Sequence, residues 1–210
     1  MSILQGLGRR FARFTTNQVV RQPRSWRFLR GLTRLQFDRL APVWDSMRSP
    51  ESFAPFETAL EAVETPPRRA LDVGTGTGVG AFTVARRFPD AEVVGVDLSG
   101  SMLAEARRKS PPELAGRIRF EEADAQRLPY PDDSFELVTL SNMIPFFDEL
   151  ARVLATGGSA LFSFSVGPQT PIYVPPERLR AELSRRGFTD FAEFAAGNGT
   201  SLLARKKDGG

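Results

Sequence analysis

The sequence has 210 residues and contains neither cysteine nor histidine. Without cysteine there is no disulfide framework, no thiolate metal site and no cysteine nucleophile. Without histidine the chain lacks the usual general base and the commonest metal ligand. Any proton transfer must therefore use a carboxylate, tyrosine, lysine, the substrate or water, and no metal site is predicted. No apolar run approaches the ~20 residues that a membrane-spanning helix needs.

Lysine is also scarce, because only three of the 28 basic residues are lysine. Residues 1–37 contain eight arginines and no acid, a charge of +8, whereas the whole chain carries +3. Residues 38–210 therefore carry −5, so the basic character belongs to an N-terminal arm. A GC-rich genome would explain the preference for arginine as well as a binding function would.

Length and composition predict a soluble protein with one main core. Hydrophobic residues make up 41% of the chain and charged residues 25%. The pair Pro66–Pro67 marks a junction. We therefore predict a basic helical arm or cap over residues 1–65, followed by a ligand-binding domain over residues 66–210.

Short apolar runs alternate with helical segments from residue 68 onward. The runs "RALDV", "AEVVGVD", "IRFEEA", "SFELVTL" and "SALFSFS" predict strands, and "FAEFAA" and "SLLARKK", joined by "GNG", predict a hairpin. This alternation predicts the α/β class: a Rossmann-like three-layer sandwich whose seven-stranded, mostly parallel sheet ends in an antiparallel hairpin strand. The arm would add an N-terminal helical cap.

The stretch "RALDVGTGTGVGAF" places alternating glycines directly after the first predicted strand. Glycine lets backbone N–H groups approach an anionic ligand, and the following helix N-terminus adds partial positive charge. Gly76, Gly78 and Ala81 match the dinucleotide pattern G-x-G-x-x-A, and Asp97 lies where ribose hydroxyls are bound. These residues alone leave a nicotinamide dinucleotide and another nucleotide cofactor both open.

Three further features favour one family. Asp72 precedes the glycines within the strand, where a carboxylate suits an amino group better than a pyrophosphate. "EADAQRLPYPDDSFELV" places Asp124 and Ala125 after the third strand, and "LARVLATGGSALFS" leads into the fifth. Over residues 68–205 the chain resembles class I S-adenosylmethionine (SAM)-dependent methyltransferases, in the small-molecule branch that includes quinone-methylating enzymes.

The resemblance implies a cofactor-binding set. Asp72 and the glycine loop would receive the methionine portion of SAM, and Asp97 would accept from the ribose hydroxyls. The loop residues in this set are Gly74, Thr75, Gly76 and Gly78. Asp97 could instead cap the helix that begins near Ser99.

The remaining cofactor residues would surround the adenine. Leu98 and Met102 would line its pocket, Asp124 would accept from its amino group, and the Ala125 N–H would meet a ring nitrogen. Alternatively, Met102 is an ordinary core residue and Asp124 an ordinary loop acid.

The acceptor side departs from several known patterns. The fourth strand is followed by "SNMIPFF", which lacks both the signature of enzymes that methylate base amino groups and the acid expected for magnesium-dependent catechol methylation. Asn142 is a catalytic candidate facing the transferred methyl group, or a helix N-cap before Pro145. Tyr173 is a second candidate, as a base, although packing explains it as well.

We therefore predict a metal-independent SAM-dependent methyltransferase acting on a small, partly apolar acceptor. An acceptor that is already acidic, such as a phenol, enol or carboxylate, would need no histidine. Two alternatives stay open: a binding or regulatory protein with this fold, and a nucleic-acid methyltransferase that uses the basic arm. The prediction includes a cytoplasmic location.

The arm has four interpretations: a cap over the site, an amphipathic surface for an anionic membrane, a cleaved transit peptide, or a nucleic-acid contact. We expect residues 37–56 to form the cover, with Trp44 and Phe53 in an apolar wall and Asp45 at its polar rim. We expect roughly the first 30 residues to serve lipid contact and to be dispensable for chemistry.

Overall fold

A computed structural model describes residues 3–208, and residues 1, 2, 209 and 210 lie outside the described part. The strands are β1 (Arg69–Val73), β2 (Glu92–Asp97), β3 (Ile118–Glu122), β4 (Phe135–Ser141), β5 (Leu154–Phe164), β6 (Phe188–Ala196) and β7 (Gly199–Lys206). The α-helices are α1 (Ile3–Arg21), α2 (Trp26–Leu40), α3 (Ala54–Glu61), α4 (Val79–Arg87), α5 (Gly100–Lys109), α6 (Phe147–Val153) and α7 (Pro176–Ser184).

The seven strands form one sheet in the order β3-β2-β1-β4-β5-β7-β6. Strand β1 pairs in parallel with both β2 and β4, so the strand order reverses between β1 and β4. Ligands of open α/β sheets bind outside the carboxyl ends of the strands at such a reversal. The loops after β1, β2 and β4 are therefore the ones that topology brings to a ligand.

The C-terminal hairpin closes the sheet as the sequence predicts. Strand β7 is antiparallel to both β5 and β6 and lies between them. Strand β5 begins earlier than predicted, at Leu154, because Leu154 and Ser159 pair with β4 while the residues between them loop out. The predicted α/β class with a mostly parallel sheet is confirmed.

Helices cover both faces of the sheet. Helices α3, α4 and α5 bury one face, with Phe56 and Leu103 fully buried, while α6 and α7 bury the other. Helix α3 packs on β5, β6 and β7, and Ser201 Oγ donates to the Pro55 carbonyl at 2.7 Å. The core thus continues across the predicted boundary at residue 65.

Helices α1 and α2 form the helical part of the predicted cap. Arg9 and Arg13 of α1 donate to the carbonyls of Gln169 and Pro168, each at 2.9 Å. At the start of α2, Trp26 is buried and packs edge-on against Phe146, with ring centroids 5.5 Å apart. The arm is therefore fastened to the side of the sheet that α6 covers.

Gly78 ends the glycine loop, and the need for glycine at this position can be tested by measuring the free energy of unfolding. Its φ is +89°, and an added Cβ would lie 2.8 Å from the ring of Phe82. We expect Gly78→Ala to lower the free energy of unfolding by about 1–3 kcal/mol in urea titrations followed by circular dichroism. As a control, Gly31→Ala in α2 has no atom within 4 Å of the added Cβ and should raise it by about 0.5–1 kcal/mol. Equal effects of the two changes would contradict this explanation.

Candidate active site

The glycine loop joins β1 to α4 and uses its backbone N–H groups within the protein. Gly74 and Thr75 donate to the Val96 carbonyl at 2.8 and 2.9 Å, and Gly76 donates to Asp97 Oδ2 at 2.9 Å. Gly78 donates to the Thr75 carbonyl. These four N–H groups are therefore not open to an anionic ligand, contrary to the expectation from the sequence.

The loop residues divide into two groups by position. Gly74, Thr75 and Gly76 line a cavity at the carboxyl ends of β1 and β2. Gly78 is buried and does not line it, because its Cα faces the rings of Phe82 and Phe120. The structure therefore places Gly78 in the turn behind the cavity, away from the position that the sequence prediction gives it.

Asp72 forms the floor of the cavity and is almost fully buried, at 2% exposed. Its carboxylate accepts from Thr75 Oγ1 at 2.6 Å and from Thr139 Oγ1 at 2.8 Å. Burial raises the pKa of Asp72, although these two hydroxyls and the Ala81 N–H lower it. A cationic group of a ligand would offset the same burial cost.

Asp97 ends β2 beside the loop and lines the same cavity. Its two oxygens accept from the N–H groups of Gly76 and Ser99, each at 2.9 Å. Burial, together with the charge of Asp72, raises the pKa of Asp97 to about 6 even though these N–H groups lower it. The alternative that Asp97 caps α5 is not needed, since Ser99 Oγ accepts from the Met102 N–H and caps that helix.

The cavity encloses about 930 Å³ of space not filled by protein atoms, including its open mouth. Leu98, Met102 and Ala125 form part of its apolar wall, as the resemblance implies for an adenine pocket. Trp44 and Phe53 lie on its wall as well, in agreement with the expected cover.

Asp124 does not lie where the resemblance implies. Its Oδ1 accepts from Trp26 Nε1 at 2.7 Å, and its Oδ2 accepts from Arg30 at 3.0 Å. The carboxylate thus faces α2, while its neighbour Ala125 lines the cavity. In this structure Asp124 joins the sheet domain to α2, and its predicted contact with the adenine amino group stays a prediction.

Residues 26–53 cross the cofactor loops, and we call this segment the strap. Ser99 Oγ, after β2, donates to Asp38 at 2.6 Å. Thr77 Oγ1, after β1, donates to Asp45 at 2.6 Å, and Lys109 forms an ion pair with the same carboxylate. Together with the bonds to Asp124 after β3, the strap reaches the loops of three successive strands.

The strap bears on two expectations about the arm. Trp26 lines the cavity and Arg30 donates to Asp124, so α2 reaches the cavity within the first 30 residues, the part that we expect to be dispensable for chemistry. Asp45 is not on the cavity wall but joins the strap to the glycine loop and α5. Burial tends to raise the pKa of Asp45, but its bonds from Lys109 and Thr77 outweigh burial and lower it.

Asn142 lines the cavity where β4 ends. Its φ is +51°, and its Oδ1 accepts from the Ser165 N–H at 3.0 Å. The side chain therefore joins the ends of β4 and β5, and the alternative of an N-cap is wrong because α6 has no side-chain cap.

Tyr173 does not line the cavity; the neighbouring Ile172 does. The tyrosine ring packs edge-on against Phe164, with centroids 5.0 Å apart. Burial, followed by the charges of Glu177 and Glu193, raises the pKa of Tyr173, opposite to what a base requires. These observations favour the alternative that Tyr173 is a packing residue over the prediction that it is a base.

Arg48 is the site residue that the sequence did not reveal. Its half-buried side chain lines the cavity beside Asp72 and lies over the Trp44 ring at 5.7 Å. Within residues 3–208 its guanidinium has no hydrogen bond or ion pair; Asp45 and Asp72 act on it only at longer range. A buried cation without a partner is costly, so an anionic ligand group would stabilise it.

Two further properties concern the described residues. Between residues 3 and 208, no three acidic side chains lie close enough together to hold a metal ion. In the same part of the chain, no helix is both long and apolar enough to cross a bilayer.

Comparisons with known proteins identify the domain. Residues 70–158 match the family model described as a methyltransferase domain. A demethylmenaquinone methyltransferase of Thermus thermophilus is 42% identical over 135 residues, which cover 58% of this chain and 60% of the relative. A malonyl-[acyl-carrier protein] O-methyltransferase of Halorhodospira halophila is 42% identical over 118 residues, covering 53% and 39%.

A solved structure supports the fold. A SAM-dependent methyltransferase from Aquifex aeolicus superimposes with a TM-score of 0.64 at 16% identity, covering 77% of this chain and 95% of that one. This likeness shows the fold. Residues 70–158 thus match a methyltransferase domain, and the chain spans less than two thirds of the length of the two curated relatives.

The raised pKa of Asp97 predicts pH-dependent cofactor affinity. If Asp97 receives the ribose hydroxyls as the resemblance implies, they would donate to its ionised carboxylate, and affinity for S-adenosylhomocysteine (SAH) should fall as pH falls through about 6. We expect affinity at pH 5 to be about tenfold weaker than at pH 7 in calorimetric titrations. The same shift makes ionised Asp97 destabilising without ligand, so the contribution of Asp97 to folding stability should decrease as pH rises from about 4 to 6.

The matched variant is Asp97→Asn. It should weaken SAH binding at pH 7 by about 1–3 kcal/mol and bind with nearly equal affinity at pH 5 and pH 7. A variant that keeps the full pH dependence would assign the titration to another group.

Proposed function

We propose that this chain is a SAM-dependent methyltransferase that acts on a small, partly apolar acceptor without a metal ion. The observation that carries the proposal is the joint placement of Asp72, Arg48 and Asp97 on one cavity wall at the strand-order reversal. A zwitterionic amino acid attached to a ribose matches this set of charges and acceptors. The similarity of residues 70–158 to the methyltransferase domain supports the same cofactor.

Charged side chains of the cavity suggest a partner for each end of the methionine portion of the cofactor. Asp72 suits its ammonium, because the carboxylate is buried and within reach of the cavity. Arg48 suits its carboxylate, because four glycine-loop N–H groups are already engaged and the guanidinium has no partner among the described residues. Arginine binds carboxylates through paired hydrogen bonds.

The nucleoside portion has fewer polar partners. Asp97 would accept from the ribose hydroxyls, and Gly76 leaves room beside it, since an added Cβ would meet only Trp44 Nε1, at 3.6 Å. Leu98, Met102 and Ala125 would surround the adenine. The adenine amino group would then need a partner other than Asp124, whose carboxylate is turned toward α2.

The acceptor end of the cavity is mostly apolar. Met143, Ile144 and Ile172 line it beside Asn142, and the strap supplies Trp44 and Phe53. Such a wall excludes water and suits an acceptor with an apolar body. The two relatives are named for different acceptors, so similarity does not select one.

The reaction would depend on positioning. Bound SAM supplies an electrophilic methyl group, so the cofactor carries the difficult chemistry. The chain would hold the acceptor atom in line with that group, an effect that can reach ~7–11 kcal/mol. Because Tyr173 lies off the cavity and the chain has no histidine, we propose an acceptor that is already acidic.

Two alternatives receive less support. A binding or regulatory protein without methyl transfer should have the acceptor space filled, but the cavity extends to Asn142, Ile144 and Ile172. A nucleic-acid methyltransferase would use the basic arm, yet Arg30 and Arg34 of α2 are paired with Asp124 and Glu122. We propose instead that the arm is a cap, with residues 1–65 as its extent, and that its charge serves contact with an anionic membrane.

Metal independence is tested by turnover. An extract of small molecules from the source cells is incubated with the full chain and methyl-tritiated SAM, and the labelled product is fractionated. We expect transfer that is unchanged by EDTA and abolished by Asp72→Ala. Activity lost in EDTA and restored by magnesium would overturn the metal-free proposal, and tight NAD binding without SAM binding would overturn the cofactor assignment.

The role of Arg48 is tested with two ligands, SAH and methylthioadenosine, of which only SAH carries an amino-acid carboxylate. We expect Arg48→Gln to weaken SAH binding about tenfold or more, the loss of a charge-assisted hydrogen bond. Methylthioadenosine, which lacks the amino-acid end, should bind the variant and the parent alike. Arg108→Gln removes an exposed arginine that pairs with Glu105 and serves as the control. Equal losses for both ligands would indicate a structural role for Arg48.

A further inference from the structure

The exposed apolar surface of the described chain is concentrated on the arm. Seven large apolar side chains between residues 7 and 47 are 45–70% exposed: Leu7, Phe14, Phe28, Leu32, Leu35, Val43 and Met47. Among residues 6–49 and 51–208, these seven are the large hydrophobic side chains that are exposed. Scattered exposed leucines need no explanation, but such a concentration on one segment marks an interaction surface.

Helix α2 is apolar on two opposite sides. Phe28, Leu32 and Leu35 follow the spacing i, i+4, i+7, which places them on one side of the helix. Trp26 and Phe37 lie on the other side and line the cavity. A helix that only caps a site needs one apolar side, so the outer stripe has a separate purpose.

Helix α1 repeats the pattern. Leu7 and Phe14 are seven residues apart, close to two turns, so they share one side of α1. Arg10 lies four residues before Phe14 and Arg21 lies seven residues after it, so both fall on the same side of α1, and both are exposed. The outer side of α1 therefore combines apolar and cationic residues as well.

The arginines near these stripes lack protein partners. Five exposed arginines have no hydrogen bond or ion pair from their side chains within residues 3–208: Arg10, Arg21, Arg24, Arg27 and Arg39. Arg27 lies over the Phe28 ring at 4.4 Å. In the sheet domain Arg152 and Arg186 are paired with carboxylates, whereas the exposed Arg68, Arg87 and Arg127 lack such partners among the described residues but have no exposed apolar stripe beside them. The free cations of the arm are available to an anionic partner.

We propose that the outer sides of α1 and α2 dock on an anionic lipid bilayer, with Phe28, Leu32 and Leu35 inserted at the interface. This inference rests on the proposed function only in taking the arm as the cap of the site. Arginine stems cover apolar surface while their guanidinium groups reach phosphates, so interleaved arginine and apolar residues suit a lipid interface.

Charge selects the bilayer over a second copy of the chain. The first 37 residues carry eight arginines and no acid, so two arms placed face to face would repel each other. A nucleic acid would satisfy the arginines but would leave the apolar stripe in water. Of these three partners, the anionic bilayer satisfies both parts of the surface, and docking would place α2 between the lipid and the cavity.

The first experiment measures vesicle binding by the full chain. We expect sedimentation with phosphatidylglycerol vesicles and at least tenfold weaker binding to phosphatidylcholine vesicles. Phe28→Gln, Leu32→Gln and Leu35→Gln together should weaken binding at least tenfold. Arg21→Gln, Arg24→Gln and Arg39→Gln should do so too, whereas Arg68→Gln, Arg87→Gln and Lys207→Gln remove equal charge elsewhere and should have little effect.

The second experiment locates the contact. Because the chain has no cysteine, Leu32→Cys provides a single site for an environment-sensitive fluorophore, and Asp90→Cys provides one in the turn before β2. Anionic vesicles should shift the emission to the blue at position 32 and leave position 90 unchanged. Equal shifts at both positions would overturn the proposed surface.

The outcomes separate this proposal from the proposed function. SAH affinity of the glutamine variants, measured without vesicles, should equal that of the parent, which excludes misfolding. Unchanged vesicle binding by the Phe28, Leu32 and Leu35 variant overturns the docking surface even if SAH binds. A dimer that this variant dissociates, without vesicle binding, would assign the surface to a second copy and also overturn the proposal. Loss of SAH binding in the parent would overturn the proposed function alone.

Discussion

The burial of one carboxylate constrains the rest of the site. Asp72 lies within a strand that is packed on both sides, and two threonine hydroxyls and one N–H group hold it in place. The backbone of Gly80 lies close to this carboxylate, and an added Cβ at Gly80 would lie 2.6 Å from it. Because burial disfavours the ionised form, the site is stabilised by any cation that reaches Asp72. Arg48 lies near but outside bonding distance, which leaves room for a ligand amino group.

The strap extends this constraint to the arm. Its contacts reach the loops after β1, β2 and β3 through Asp45, Asp38 and the pair Trp26–Asp124. Each of these loops also contributes residues to the cavity wall. The arm therefore contacts the same loops that form the cavity. The arm is consequently part of the binding site and not an appendage, although it lies outside the matched residues 70–158.

The sequence predicts the site residues whose positions depend on neighbours close to them in the chain. The apolar run, Asp72, the glycines and Asp97 follow one another within thirty residues, and topology alone brings them to one edge. Arg48, Asp124 and Tyr173 are different, because their surroundings depend on segments far away in sequence. The sequence predicts Asp124 as an adenine partner, but in the structure its carboxylate accepts from Trp26 of α2, nearly a hundred residues earlier in the chain. Tyr173 and Ile172 are neighbours, yet packing on Phe164 turns only the isoleucine toward the cavity.

The charged groups of the cavity indicate which ligand would suit it. Asp72 is buried and Asp97 is half-buried, and the charge of Asp72 adds to the raised pKa of Asp97. Arg48 is a cation left without a partner among the described residues. A ligand with one ammonium, one carboxylate and two hydroxyls would satisfy all three groups at once. Binding would therefore relieve three unfavourable burials, and a ligand that binds only the folded state stabilises it in proportion to its affinity. The charged groups whose burial costs free energy are thus the same groups that would select the ligand.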